Sequence, residues 1–122
     1  NKKLINIISN SSYLSNSHIL GEANFIGHGS YIGPVVQIGD NNIINTHSII
    51  EHECIIGNNN HISINSTLAG RCKIGDNVFL GAGAIVKDKL SICSNVTIGA
   101  GSVVVKDIIE PGIYVGIPAK KI

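Results

Sequence analysis

Two adjacent side chains with acid–base chemistry, His52 and Glu53, stand near the middle of the sequence. An imidazole is the side chain best suited to accept a proton near neutral pH. A neighbouring carboxylate can hold one ring tautomer and increase the basicity of the imidazole. The pair therefore predicts a general base. A surface histidine beside a surface acid, with no chemical role, is the alternative interpretation.

A repeat of six residues predicts the strands and turns on which this pair lies. Every sixth residue from Ile8 to Val104 is Ile, Leu or Val, at 17 consecutive positions without an insertion. The residue that follows is often glycine, and the residue four places later is usually small. A period of six matches neither a helix nor a simple strand alternation. It predicts short strands joined by sharp turns, each segment pointing one large and one small residue inwards.

This repeat resembles the hexapeptide-repeat family, whose fold is a left-handed parallel β-helix with three hexads in each coil. The resemblance covers residues 8–109 and implies an all-β domain of about 5–6 coils. Residues 1–7 are expected to be a junction that follows a missing N-terminal nucleotide-sugar-binding domain. Residues 110–122 are expected to form a short tail that leaves the prism at a Pro-Gly turn, and their ending resembles the closing segment of acyl-CoA-dependent hexapeptide acyltransferases.

Residues 18 positions apart stack in such a fold, so the sequence also predicts neighbours. Gly70 is expected one coil above His52, where its backbone N–H could stabilise an oxyanion beside the base. The turns of residues 81–84 (GAGA) and 99–102 (GAGS) are expected to stack into a smooth strip that accompanies an extended ligand. A simple need for glycine in the turns is the alternative explanation of that strip.

The outward residues of the repeat favour an assembly of three chains. Two of the three outward columns are mostly apolar and the third is mostly polar, which predicts a homotrimer. Scattered surface apolar residues are the alternative. His61 lies nine residues, or half a coil, from His52. The two histidines can therefore serve one site only across a subunit boundary.

The segment of residues 45–57 (NTHSIIEHECIIG), together with His61 and the Ala-Gly pair before the next hexad, narrows the resemblance. It is similar to the sugar O- and N-acyltransferases related to sialic-acid O-acetyltransferases, including bacterial UDP-4-amino-sugar N-acetyltransferases. The resemblance implies transfer of the acetyl group of acetyl-CoA to an amine or hydroxyl of a nucleotide-activated amino sugar, with His52 as general base and Glu53 as its acidic partner. The residues expected at the acetyl-CoA site are His61, Gly70, Gly81, Ala82, Gly99 and Ala100, and Asn45 is expected to contact the substrate near the base.

The amino-acid composition restricts the binding partners and the cellular compartment that can be expected. A formal net charge of +1 over 122 residues argues against nucleic acid, which requires a basic face. No stretch approaches the ~20 apolar residues of a membrane span. An odd count of three cysteines fits the reducing cytoplasm. Cys54 occupies an inward position, so no acyl-cysteine intermediate is expected.

Two other functions remain open at this stage. A γ-class carbonic anhydrase is one, because His47 and His52 have the spacing of two zinc ligands of that family. Its third histidine is expected near Ser11, where none stands, and no metal is expected here. The other is a structural or ice-binding β-helix without activity, although the outward columns are more mixed than such a protein requires.

Overall fold

The hexad periodicity is confirmed strand by strand in the computed structural model, which describes residues 2–122. Asn1, the first residue of the expected junction, lies outside the described residues. Within them the chain forms strands and turns and contains no α-helix. Each of the first 17 strands ends on the Ile, Leu or Val of its hexad. These strands are β1 (Ile7–Ile8), β2 (Tyr13–Leu14), β3 (Ile19–Leu20), β4 (Phe25–Ile26), β5 (Tyr31–Ile32), β6 (Gln37–Ile38), β7 (Ile43–Ile44), β8 (Ile49–Ile50), β9 (Ile55–Ile56), β10 (His61–Ile62), β11 (Thr67–Leu68), β12 (Lys73–Ile74), β13 (Phe79–Leu80), β14 (Ile85–Val86), β15 (Ser91–Ile92), β16 (Val96–Ile98) and β17 (Val103–Val104).

Every third strand joins the same parallel sheet, so the chain winds into a prism with three faces. Sheet 1 contains β1, β4, β7, β10, β13 and β16; sheet 2 contains β2, β5, β8, β11, β14 and β17; sheet 3 contains β3, β6, β9, β12 and β15. Paired residues are 18 apart, as His61 is from Phe79. The result is a parallel solenoid of about six turns, consistent with the expected left-handed β-helix.

In β4–β15 and β17 the second residue is buried inside the prism and the first lies on its outer surface, whereas in β16 the outward residue is Thr97, between Val96 and Ile98. Ile44, Ile50 and Ile62 are fully buried, whereas Ile43 and Ile49 on the outside are 41% and 38% exposed. Burying an isoleucine side chain contributes roughly 1.5–3 kcal/mol to folding. One inward aliphatic residue in each hexad therefore stabilises every coil against the next.

The turns share one backbone conformation that repeats every six residues. From Ala23 to Gly101, each sixth residue has a positive φ, and 11 of these residues are not glycine. His47, Glu53 and Arg71 are among them, with φ values of 56°, 62° and 63°. Side chains other than asparagine are uncommon in this region. Their presence shows that the coil, and not the residue type, imposes the turn.

A ladder of buried asparagines holds the edge between sheets 3 and 1. The Oδ1 atom of Asn24 accepts the backbone N–H of Asn42 at 2.9 Å, and Asn42 accepts that of Asn60 at 2.9 Å in the same way. Asn60 in turn accepts the N–H of Val78 at 2.8 Å. Every buried side-chain N or O in residues 2–122 has a hydrogen-bond partner, so the asparagines add no unpaired side-chain group to the interior.

The C-terminal residues differ from the expected tail that leaves the prism. After the Pro-Gly turn, β18 (Gly112–Val115) adds to sheet 1 in parallel with β16, and β19 (Lys120–Lys121) pairs with β18 in antiparallel orientation. Ile113 and Tyr114 can pair with β16 because the last coil leaves its backbone groups unpartnered. No helix in residues 2–122 has the length and apolar character that a membrane crossing requires.

Candidate active site

The candidate residues lie on two different edges of the prism. The turns that join sheet 2 to sheet 3 form what we term the histidine corner, made of residues 51–54, 69–72 and 87–90. The turns that join sheet 1 to sheet 2 form the glycine corner, made of residues 45–48, 63–66, 81–84 and 99–102. Both corners repeat the same four-residue turn, so their side chains alone distinguish them.

At the histidine corner, His52 and Glu53 make the contact that the sequence predicts. The Nδ1 atom of His52 lies 2.8 Å from Oε2 of Glu53, and the Nε atom of Arg71 lies 3.1 Å from the same oxygen. The hydrogen bond from His52 and the charge of Arg71 lower the pKa of Glu53. Glu53 is thus a carboxylate at neutral pH, and it accepts a proton-bearing Nδ1. This contact assigns the proton of the neutral ring to Nδ1 and leaves the lone pair of Nε2 without a partner among residues 2–122.

Gly70 lies directly over that free nitrogen. A Cβ atom at this position would lie 2.5 Å from Nε2 of His52, so only glycine leaves room for the ring. The Gly70 N–H has no acceptor within residues 2–122. The expectation that Gly70 stacks above His52 is confirmed.

At the glycine corner, Asn45 fixes the tautomer of His61. The Oδ1 atom of Asn45 accepts the backbone N–H of Thr46 at 2.8 Å, which leaves its Nδ2 to donate to Nε2 of His61 at 3.2 Å. The ring of Phe79 packs edge-on against His61, with centroids 5.2 Å apart. Burial lowers the pKa of His61, so the ring is neutral near pH 7. His61 therefore presents Nδ1–H as a donor.

The glycines of this corner have two separate causes. A Cβ on Gly81 would lie 2.6 Å from the backbone N of Ala100, so the next coil requires glycine there. Gly83 and Gly101 have φ values of +70° and +68°, and a Cβ on either would meet nothing within 4 Å. Because other turns carry large side chains in the same conformation, glycine at these two positions is not needed for folding alone. It leaves a bare strip beside the exposed Ala100.

His52 and His61 do not meet within one chain. His61 belongs to β10 of sheet 1, whereas His52 lies in the turn between sheets 2 and 3. His47 lies at the glycine corner, where its ring packs 5.4 Å from that of His28. Within residues 2–122, no three His, Cys, Asp or Glu side chains form a group that could hold a metal ion. The spacing of His47 and His52 therefore does not assemble a zinc site in this chain.

Comparison with known proteins gives the family. Residues 53–88 and 71–106 match the family model described as bacterial transferase hexapeptide (six repeats). The chain is a hexapeptide-repeat protein. Among curated proteins, no match was found.

Solved structures similar to this hexapeptide-repeat protein include two bacterial enzymes. A His-to-Asn variant of perosamine N-acetyltransferase from Caulobacter crescentus, in complex with CoA and GDP-perosamine, is 37% identical with a TM-score of 0.94. The acetyltransferase domain of PglB from Neisseria gonorrhoeae, in complex with acetyl coenzyme A, is 30% identical with a TM-score of 0.95. Each alignment covers 98% of this chain, and the chain spans 57% and 58% of those proteins.

A third structure supports the fold alone. A hexapeptide transferase family protein from Anaplasma phagocytophilum is 22% identical with a TM-score of 0.80, over 98% of this chain and 78% of that protein. The repeat is therefore shared well beyond the two enzymes above.

Two features of this hexapeptide-repeat protein were not found from its sequence. Arg71 was not recognised as a partner of Glu53, although the spacing of 18 and the opposite charges were a usable signal. The second feature is the contact between the rings of His28 and His47, with Ser11 hydrogen-bonded to His28. In both cases the interaction joins separate coils.

The burial of Cys54 agrees with the expectation that it carries no acyl group. Cys54 and Cys72 are both fully buried, and their Sγ atoms donate to the backbone carbonyls of Ala69 and Lys87 at 3.2 Å. The neighbouring thiol of Cys72 and burial raise the pKa of Cys54. A protonated, inaccessible thiol is a poor nucleophile.

Proposed function

We propose that this chain is an acetyltransferase domain that moves the acetyl group of acetyl-CoA to the amine of a nucleotide-activated amino sugar. The observation that carries the proposal is the hydrogen-bonded pair of His52 and Glu53, with Nε2 of His52 free beneath Gly70. The similarity to perosamine N-acetyltransferase and to the PglB acetyltransferase domain supports the choice of amine and co-substrate.

The proposed reaction needs one base and one oxyanion donor. Nε2 of His52 removes a proton from the acceptor amine as its nitrogen attacks the thioester carbonyl carbon. The carbonyl oxygen becomes an oxyanion, which the N–H of Gly70 stabilises. When the tetrahedral intermediate collapses, the carbon–sulfur bond breaks and the CoA thiolate takes the proton from the His52 imidazolium. Glu53 stabilises that imidazolium through Nδ1.

We place the acetyl-CoA arm along the bare strip of the glycine corner. His61 would donate its Nδ1–H to the co-substrate, while Gly81, Ala82, Gly99 and Ala100 would leave room for it. Asn45 would act there by holding the His61 tautomer, and a direct contact between Asn45 and the acceptor is the alternative role. The oriented amide of Asn45 supports the first of these roles.

The two corners would complete one site only in an oligomer. Since His52 and His61 lie on different edges of one chain, we propose a homotrimer in which each cleft joins the histidine corner of one subunit to the glycine corner of the next. The exposed apolar residues of sheets 1 and 2, among them Phe25, Phe79, Ile49 and Ile85, support such contacts. Light scattering should give three times the chain mass of 12.8 kDa, and a monomer at micromolar concentration would refute the shared site.

The domain arrangement and compartment belong to the same proposal. The chain spans 57% and 58% of the two enzymes it resembles, which fits an additional nucleotide-sugar-binding domain before residues 1–7 and a C-terminal segment at residues 110–122. Cytoplasmic location is supported by the three free cysteines, since thiols stay reduced in that compartment.

The direct test is an acetylation assay with a matched set of acceptors. The purified chain would be incubated with acetyl-CoA and a nucleotide-linked 4-amino sugar, its 4-hydroxy counterpart or the free amino sugar. Released CoA and the product mass would be measured by liquid chromatography and mass spectrometry. We expect one added acetyl group on the nucleotide-linked amine. Acetylation of the hydroxyl compound instead would assign O-transfer. If none of the three acceptors led to release of CoA, the proposal would be contradicted.

A further inference from the structure

A third charged side chain is connected to the proposed catalytic pair. Arg71 lies one coil above Glu53 in the same turn position, and both residues have a positive φ. The Nε atom of Arg71 and the Nδ1 atom of His52 both contact one oxygen, Oε2 of Glu53, at 3.1 and 2.8 Å. The backbone N–H of Arg71 also donates to the carbonyl of His52 at 2.9 Å. The three residues therefore form one linked group that spans two coils.

The other charged groups near His52 do not duplicate this arrangement. On its own turn, Oε2 of Glu51 lies 3.3 Å from the backbone N of His52, so this carboxylate accepts from the main chain and not from the ring. The turn below, residues 33–36, has no titratable side chain. Two coils above, residues 87–89 are Lys, Asp and Lys, and Lys89 contacts Gly70 through its backbone N–H. Within residues 2–122, Arg71 is thus the cation bound to the carboxylate that holds His52.

The charge balance of this group has a consequence for a base. An isolated carboxylate beside an imidazole favours the protonated, positively charged ring. A ring that is already protonated cannot accept a proton from the acceptor amine. With Arg71 in place, the carboxylate and guanidinium charges cancel, so the neutral ring is favoured more than it would be beside Glu53 alone.

The contact also restricts the carboxylate. Glu53 and Arg71 are 46% and 53% exposed at their side chains, so neither is held by packing. A single exposed ion pair contributes little to folding stability. Here the ion pair acts locally, because the contact with Arg71 directs Oε2 of Glu53 towards Nδ1 of His52.

We propose that Arg71 is a positioning residue for the acetyl transfer: it anchors Glu53 against His52 and offsets the carboxylate charge that the His52 ring faces. This role rests on the proposed function. It assigns to Arg71 an effect on the pH range of the reaction that a surface ion pair with a purely structural role does not have.

The first test compares pH profiles of kcat/KM for four proteins. Arg71→Gln removes the charge, Arg71→Lys retains it, and Lys73→Gln removes a charge from a strand residue that makes no ion pair within residues 2–122. We expect the acid limb of Arg71→Gln to move to higher pH by about 0.3–1 pH unit at low ionic strength. The shift should shrink in 0.5 M salt, since exposed charges are screened. Arg71→Lys should largely restore the wild-type limb, and Lys73→Gln should leave it in place.

The second test follows the protonation of the His52 ring directly and does not require enzymatic activity. The pH at which the His52 ring resonances change would be followed by NMR in the same four proteins, after circular dichroism has confirmed the fold of each. Arg71→Gln should move this transition upwards by the amount seen in the acid limb. An unchanged transition, or an equal change in Lys73→Gln, would overturn the role of Arg71. If wild-type protein acetylates no acceptor, the proposed function fails, while the NMR transition still decides whether Arg71 acts on His52.

Discussion

The histidine corner and the glycine corner are built from the same turn but present opposite surfaces. The second residue of the turn is His52 at one corner and Ala82 or Ala100 at the other, and the next residue, with positive φ, is Glu53 or Arg71 against Gly83 or Gly101. One corner thus carries linked charged side chains, and the other exposes backbone. A repeating backbone can therefore present two chemically different surfaces when only its outward residues change.

The largest effect should come from removing the base. We expect His52→Ala to lower kcat by about 10²–10⁴-fold, which is the usual contribution of a positioned proton acceptor. Its affinity for acetyl-CoA and its assembly should change little, because the side chain fills no part of the core. Steady-state kinetics and calorimetry would measure both quantities.

His47→Ala is the matched control, since it removes a histidine from the other corner. Its kcat should stay near that of the wild type. A His52→Ala protein that keeps most of its kcat would remove the proposed mechanism. Loss of activity in His47→Ala as well would revive the zinc interpretation.

Crowding the base should have the next largest effect. In Gly70→Ala, the added methyl group would lie 2.5 Å from Nε2 of His52 in its present place, so the ring must move away from the oxyanion donor. We expect kcat to fall by about 10–10³-fold, since small displacements of catalytic groups are costly. Gly29→Ala is the control, because its methyl group would approach the His47 ring to 2.6 Å. Equal losses of kcat in both variants would indicate a general defect of the coils.

Changes at the glycine corner should act on co-substrate affinity and not on kcat. His61→Ala removes a donor, and we expect acetyl-CoA to bind about tenfold more weakly, in line with the ~1 kcal/mol of one hydrogen bond. Calorimetry would measure the affinity, with His47→Ala as the control. A variant that binds acetyl-CoA normally but loses kcat would reverse the assignment of the two corners.

The hydrogen bond between Asn45 and His61 predicts that the affinity for acetyl-CoA depends on pH. Burial lowers the pKa of His61 below its ordinary value of 6.5, so the ring stays neutral until the pH falls through that lowered value. Below it, Nε2 is protonated and can no longer accept from Nδ2 of Asn45. The affinity for acetyl-CoA should therefore be constant from pH 8 to about 6.5 and fall at more acidic pH. In Asn45→Asp, Nε2–H of the protonated ring would donate to the new carboxylate and keep the ring in place, so the fall at acidic pH should be absent.

The smallest effect should come from adding a side chain to the bare strip. Asparagine tolerates the positive φ of Gly83, as Asn65 does one coil below, so Gly83→Asn should fold with little change in melting temperature. The new side chain would occupy the strip, and we expect acetyl-CoA to bind a few-fold more weakly. Lys89→Asn is the control, with the same φ region at the histidine corner. Unchanged affinity in Gly83→Asn would show that the strip serves the turns alone.

The positions of the coils and of His52 within them follow from the order of the amino acids. Strand positions follow from an aliphatic residue at every sixth position, because one inward residue per hexad is enough to fix which side of each strand is buried. The adjacency of His52 and Glu53 is covalent, and the stacking of Gly70 follows from a coil of 18 residues. These features depend on spacing along the chain, which the sequence states directly.

Only the tertiary structure decided which exposed side chains touch. The orientation of Asn45 depends on the backbone N–H of Thr46, and its donation to His61 joins residues 16 apart, a spacing outside the stacking rule. Arg71 and Glu53 stack by that rule, but their contact depends on side-chain rotamers at a corner where both side chains are about half exposed. The return of β18 to sheet 1 depends on the unpaired edge of the last coil. Periodicity fixes the backbone, whereas contacts between coils and the rotamers of exposed side chains are fixed by the neighbours that the fold brings to them.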